Sequence, residues 1–247
     1  MSIFGFGKKK DTQQTSTPSI SQELKLTKSK EDLSNVVLKL TKETGIDLTQ
    51  MSARIVVVMD DSGSMDNQYQ NGNVQDILTR LLPFALQFDD NGELEVYLFS
   101  DKCKKIKPCM TEENYENYVK NYIDGNHIFG GTNYAPAINM IDNDYNDRQS
   151  KKIPTLVFFI TDGNNWDKDE TDNAIIRSSK HGIFFMFVGA GNDSFNYLRK
   201  LDDLEGREVD NTGFMQISDL NSVSNTELFL KSLKDYIPWL KAMGYVK

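Results

Sequence analysis

Five oxygen-bearing residues, carried by three separate segments, are the part of this sequence whose types and spacing could do chemistry. The segments are Met59-Asp60-Asp61-Ser62-Gly63-Ser64-Met65, Phe129-Gly130-Gly131-Thr132-Asn133 and Ile160-Thr161-Asp162-Gly163. In a loop leaving a strand, the spacing Asp60-x-Ser62-x-Ser64 lets alternate short side chains turn toward one point, with Gly63 expected to let the backbone bend between them. Hydroxyls and carboxylates are the ligands of a hard divalent cation, and Mg²⁺ in particular takes few carboxylates and keeps several waters. The set contains no His or Cys, which argues against zinc.

The elements that must position these residues alternate in type. Ile55 to Met59 is a continuous apolar run, as expected of a strand buried on both faces in a parallel sheet. Leu94 to Phe99, Thr155 to Ile160, Ile183 to Val188 and Phe214 to Ile217 read as further strands. Lys104 to Met110 reads as an edge strand, because lysines and Pro108 suit an edge better than a centre. Helices are predicted from Val74 to Phe88, with Pro83 kinking or restarting it, from Thr111 to Tyr122, and from Ala135 to Tyr145, entered through Pro136. Three more are predicted over Glu170 to His181, Phe195 to Leu204 and Thr226 to Met243. The alternation predicts an α/β fold: a doubly wound, mostly parallel central sheet with helices on both faces and right-handed crossovers. Sites in such sheets lie beyond the C-terminal strand ends, at the topological switch point. Residues 1–20 read as a flexible arm. Residues 21–247 read as one domain, opening with a docking helix over about 21–45 and ending with a closing helix. Leu24, Leu33, Val36, Val37 and Leu40 supply the apolar stripe of the docking helix, and Gly45 its stop.

Asp60, Ser62, Ser64, Thr132 and Asp162 match, in order and in element, the metal-ion-dependent adhesion site of von Willebrand factor A (vWA) domains. The sequence resembles that family over roughly residues 54–217. The resemblance implies a Rossmann-like fold with Ser62 and Ser64 as direct ligands, Thr132 as a state-dependent one, and Asp60 and Asp162 holding the metal or its waters. It also implies Mg²⁺ as the cofactor, with Mn²⁺ or Ca²⁺ as alternatives, and a protein partner whose Glu or Asp completes the octahedron. The Met59–Met65 loop and the ending Ile237-Pro238-Trp239-Leu240-Lys241-Ala242-Met243-Gly244-Tyr245 resemble the intracellular bacterial branch, particularly the vWA domains of tellurium-resistance and related stress proteins. The β-sandwich domain that often accompanies this module in tellurite-resistance proteins is not seen in the sequence.

Composition narrows the remaining choices. The chain has 247 residues, with 28 Lys+Arg against 36 Asp+Glu and a formal charge of −8, so no nucleic-acid partner is expected. At 38% hydrophobic and 26% charged it is globular in composition. The two cysteines, Cys103 and Cys109, read as ordinary thiols of a reducing compartment, and no apolar run approaches the roughly 18 residues of a membrane span. A cytoplasmic location is expected. Membrane contact through Ile3, Phe4, Phe6 and Lys8 to Lys10 is not, since Ser2 stands where myristoylation needs glycine.

The expected function is a metal-dependent protein-binding module in a bacterial stress or tellurite-resistance-type complex, and not an enzyme. The alternative is a Mg²⁺-dependent phosphohydrolase or phospho-accepting receiver. Those folds generally want a further Asp or Lys after a later strand, where this chain has Gly189-Ala190-Gly191. A scaffold with a vestigial site is a third reading. Asp61 reads as a loop residue facing away from the site, His127 and His181 as surface or capping residues, and Asp142, Asp144 and Asp147 as a solvated helix end. Trp166 is either a partner contact or packed beneath its own loop.

Overall fold

The apolar run beginning at Ile55 is the middle of the sheet. Strand β1 (Arg54–Asp60) pairs in parallel with β2 (Leu94–Phe99) on one side and with β4 (Thr155–Thr161) on the other. β5 (Ile183–Ala190) and β6 (Thr212–Ile217) continue the sheet in parallel. A short β3 (Cys103–Lys105) adds an antiparallel edge beside β2, so the order is β3-β2-β1-β4-β5-β6. The computed structural model describes residues 20–146 and 152–247. Residues 1–19 of the expected arm, with Ile3, Phe4, Phe6 and Lys8 to Lys10, lie outside the described residues, as does Asp147, while Ile20 opens the first helix.

Strand side chains of alternate parity enter two cores. Ile55, Val57, Met59, Phe158, Ile160 and Met186 face helices α1 (Ile20–Thr44), α3 (Asn73–Phe88), which the short α2 (Asp66–Gln70) precedes, and α7 (Asn225–Ala242). Val56, Val58, Phe159 and Phe187 face α4 (Ala135–Tyr145), α5 (Lys168–Ser178) and α6 (Asn196–Asp202). Cover on both faces is why these strands are apolar throughout instead of alternating. β2 and β4 flank β1 on opposite sides, so the crevice beyond the C-terminal ends of β1 and β4 is the switch point.

α1 packs on α3 and α7 through Leu26, Leu33, Val36, Val37 and Leu40, while Leu24, assigned to that stripe from spacing, is 64% exposed. Gly45, at φ +73°, ends the helix, and its N–H donates to Thr41 O at 3.0 Å. No helix among the described residues is long and apolar enough to cross a membrane.

Two stretches differ from the predicted pattern. α3 runs through Pro83 as one helix, held on both sides of the proline by a buried apolar face. The helix expected over Thr111 to Tyr122 is instead a series of turns ending in one wide helical turn, Val119–Ile123. Side chains take the backbone groups that a helix would use: Asn114 Oδ1 accepts from Thr111 N at 2.8 Å, and Gln75 of α3 accepts from Val119 N while donating to Tyr115 O. Asn117, at φ +53°, interrupts the helical backbone. The predicted edge strand is likewise short, its remainder held to β2 only by Ile106 N donating to Val96 O and by the Leu94–Met110 bridge.

Candidate metal centre

β1 ends on a carboxylate that the fold buries completely. Asp60 Oδ1 accepts the N–H of Ser62 at 2.8 Å, turning the chain back over the strand end, and Oδ2 accepts the Thr161 hydroxyl at 2.6 Å. Ser62 leads into a single 3₁₀ turn, Gly63–Met65, without its hydroxyl capping that turn. The hydroxyl instead lies 3.1 Å from Ser64 Oγ, and Ser64 Oγ donates to Asp162 Oδ1 at 2.8 Å. Asp60, Ser62, Ser64 and Asp162 thus form one hydrogen-bonded chain from the end of β1 to the end of β4. A Cβ at Gly63 would meet no atom within 4 Å, and its φ is not left-handed, so the expected bend does not depend on its being glycine.

Thr132 reaches this place by a different route. Its carbonyl accepts from Trp166 N at 3.0 Å, and the N–H of Asn133 donates to Ser100 O at 2.9 Å. The threonine is therefore pinned between the end of β2 and the loop after β4, largely buried, with no hydrogen bond from its hydroxyl to the Asp60-to-Asp162 chain. Gly130 is needed here: at φ +151° it lies so close to Asp101 that a Cβ would come within 2.9 Å of Oδ1. Asp167 fixes the exit of this loop, accepting from Tyr134 N and Ala135 N at the start of α4.

Several supporting residues were not recognised from the sequence. Asp61 does face away from the serines, but as a fully buried residue and not a free loop position. Its carboxylate accepts from Ile128 N at 2.6 Å and lies 2.5 Å from His127 Nδ1, tying the Thr132 loop to the end of β1. Asp61 N donates to Phe99 O, so the β1–β2 ladder runs one residue past Asp60, and the two-residue period of a strand turns the neighbouring carboxylates to opposite faces. That period, applied one position further along the chain, was the available signal. His181 likewise is not a surface residue: Nδ1 lies 2.5 Å from Asp142, which is 3% exposed and not part of a solvated helix end. Asp144 accepts from Tyr97 OH at 2.7 Å. Tyr69 OH donates to Asp60 O at 3.0 Å, and Tyr134 OH to Gly163 O at 2.5 Å, bracing both strand ends. Trp166 is 86% exposed and does not pack beneath its loop.

The electrostatics suit a cation. Burial pushes the Asp60 carboxyl up to about 6, against the opposing pull of its bonds to Ser62 and Thr161. Burial also raises Asp162, with its bond to Ser64 acting the other way. A positive ion between them would offset the cost of holding two charged carboxylates out of water. Among the described residues no group of three or more His, Cys, Asp and Glu side chains gathers as a metal cluster, so such an ion would have two carboxylates and otherwise hydroxyls and water. That donor set fits a hard, hydrated ion such as Mg²⁺.

Comparison with known proteins gives a consistent picture. A family model described as "vWA found in TerF C terminus" matches residues 52–246. The uncharacterized protein YcbR of Bacillus subtilis (strain 168) is 37% identical over 197 residues, covering 78% of this chain and 80% of its own length. Among solved structures, proximal thread matrix protein 1 of the mussel byssus superposes with a TM-score of 0.53 at 16% identity, over 74% of this chain. The match spans 48% of the mussel protein, about half its length. A second structure of that protein has a zinc-occupied MIDAS motif and gives a TM-score of 0.51. The VWA domain of SpRpn10 gives 0.51 at 12% identity, over 72% of this chain and 93% of its own. At these identities the solved structures establish the shared fold.

Proposed function

The chain belongs to the family of vWA domains found at the C terminus of TerF, and from that premise we propose that it is a divalent-metal-dependent protein-binding module. In this reading Asp60, Ser62, Ser64, Thr132 and Asp162 hold Mg²⁺ or a similar ion, and an Asp or Glu of a protein partner completes its coordination. The observation that carries the proposal is the unbroken chain from Asp60 through Ser62 and Ser64 to Asp162 at the switch point. The occupied MIDAS motif of the mussel protein supports it by likeness of fold.

When bound, the ion supplies a site where a partner carboxylate can replace a water. The protein's own residues do the rest. Asp60 orients the Ser62 backbone, Thr161 fixes the Asp60 carboxylate, and the bond from Ser64 to Asp162 sets the spacing across the crevice. Thr132, on a loop tied to both strand ends, stands where a change in coordination would pass into backbone position. We place the module in a cytoplasmic stress or tellurite-resistance-type complex because of its TerF-like family, and we assign it no catalytic step.

Calorimetric titration of EDTA-treated protein with Mg²⁺, Mn²⁺ and Ca²⁺ tests this reading. Saturable binding in the wild type and none in Asp162→Ala is expected. Equal heats in the two proteins would refute the assignment.

A further inference from the structure

Phe129 and Trp166 are 51% and 86% exposed, and they stand on the loops that carry Thr132 and Asp162. Isolated exposed apolar residues are ordinary. These two differ in how firmly their backbones are held. Phe129 is at φ +36°, a left-handed conformation that a bulky side chain rarely adopts. The preceding residues fix it there: Asp61 holds Ile128 N and His127, and the His127 ring stacks on Phe129 at 4.8 Å with Tyr69 edge-on behind it at 4.8 Å. Gly130, on its other side, is pressed against Asp101. Strain of this kind persists only where the surroundings over-determine it, and it gathers at functional loops.

Trp166 is presented in a similar way. Its N–H is bonded to Thr132 O, and the side chain of its neighbour Asn165 is buried against Asp167 and Thr171. Thr132 is three residues from Phe129, and its carbonyl accepts from the Trp166 N–H, so the backbones that carry the two aromatics meet at the segment holding Thr132. Exposed aromatic side chains on rigid backbones lose little freedom on binding, which makes them effective interface anchors.

We propose that Phe129 and Trp166 form an apolar clamp beside the metal, selecting protein segments whose metal-directed Asp or Glu has an aromatic or branched aliphatic neighbour. The proposal rests on the metal-dependent reading above and names the class of partner it would take. Charge favours this class over a polyacidic segment. Asp101 and Asp193 border the same loops, and the chain carries −8 overall, so additional acidic residues are repelled where a single carboxylate is drawn to the ion. Covering the aromatics also displaces water, which strengthens the attraction between carboxylate and cation.

The test is a phage-displayed library of random peptides around a fixed Glu, panned on wild type, Phe129→Ala and Trp166→Ala in Mg²⁺ and in EDTA. The expected result is Mg²⁺-dependent enrichment on wild type of peptides with an apolar residue within about two positions of the Glu. The best peptide should bind Trp166→Ala about tenfold more weakly, with Trp166→Phe retaining affinity and Mg²⁺ binding by Trp166→Ala unchanged. Its binding should also shift Trp166 emission to the blue, against a steady background from buried Trp239. Mg²⁺-dependent enrichment with no apolar preference, or equal affinity for the alanine variants, overturns the clamp and leaves the metal reading intact. No Mg²⁺-dependent enrichment at all overturns both. A blue shift with phosphatidylglycerol vesicles, without peptide selectivity, would assign the pair to lipid and overturn the proposal.

Discussion

Asp60 answers to two demands at once: it is fully buried at a strand end, and it is most useful when charged. Its hydrogen bonds to Ser62 N and Thr161 hold the carboxylate in place without neutralising it, which leaves a cation as the natural source of compensation. Saturating Mg²⁺ should therefore stabilise the fold, by about 2.7 kcal/mol at a hundred times Kd. For a chain of this size that is a rise in Tm of roughly 5–10 °C, read by differential scanning calorimetry. Asp162→Ala should abolish the rise. Asp61 has a separate role, since its two acceptor bonds hold the Thr132 loop. Asp61→Ala leaves two part-buried donors unmatched and should cost about 2–4 kcal/mol in urea unfolding, whether or not metal is present. A loss that disappears in EDTA would mean that Asp61 acts only through the ion.

Among the elements, α1 is the addition that the switch-point architecture does not itself require. It covers α3 and α7, with Leu33, Val36, Val37 and Leu40 almost completely buried. The buried Arg80 guanidinium of α3 strengthens the same junction, donating to Asn225, Leu220 O and Val223 O, while Asn225 donates to Ser29 and Asp32 of α1. Leu40→Ala should cost about 2–4 kcal/mol by urea unfolding, as a large-to-small change in a filled core does. If α1 were only loosely docked, the cost would fall below about 1 kcal/mol. Side-chain hydrogen bonding also explains why the segment from Thr111 to Tyr122 defeated a periodicity reading. Its apolar residues do fall at helical spacing, but Gln75, Asn114 and Thr111 capture the backbone groups first.

At the scale of the whole molecule, several buried acids act together. Burial raises Asp60 and Asp202 to about 6 each, and it raises Asp89 and Asp162 as well. A carboxyl whose folded pKa exceeds its unfolded value binds protons more readily in the native state. The metal-free protein should accordingly gain stability as pH falls from 7 through 6 toward 4. Asp60 alone contributes about 1–1.5 kcal/mol between pH 7 and 5. Urea midpoints measured in EDTA should rise over that interval, and less so for Asp60→Asn. A midpoint that falls instead would show that these acids are not held protonated by burial. Saturating Mg²⁺ should flatten or reverse the trend, because proton and metal compete for the same carboxylates.

The sequence by itself determined the order of the central elements and which strand ends bring the oxygen-bearing segments of the proposed site together. Continuous apolar strands can be stable only when both faces are covered, and the oxygen-bearing segments follow strand or loop ends where a parallel sheet leaves a crevice. Only the tertiary structure decided how those segments meet. The Ser64 bond to Asp162, the Asp61 bonds to His127 and Ile128, and the Trp166 bond to Thr132 join residues 34 to 98 positions apart, and no local pattern encodes such a pairing. Burial was equally beyond the sequence. Asp61 reads as a loop residue facing away and Asp142 as part of a solvated helix end, and each is instead buried beside a histidine distant in sequence. Trp166 shows the converse: its sequence leaves exposure and packing beneath the loop both open, and here its N–H on Thr132 O and the buried side chain of Asn165 hold a loop that keeps the indole in the solvent.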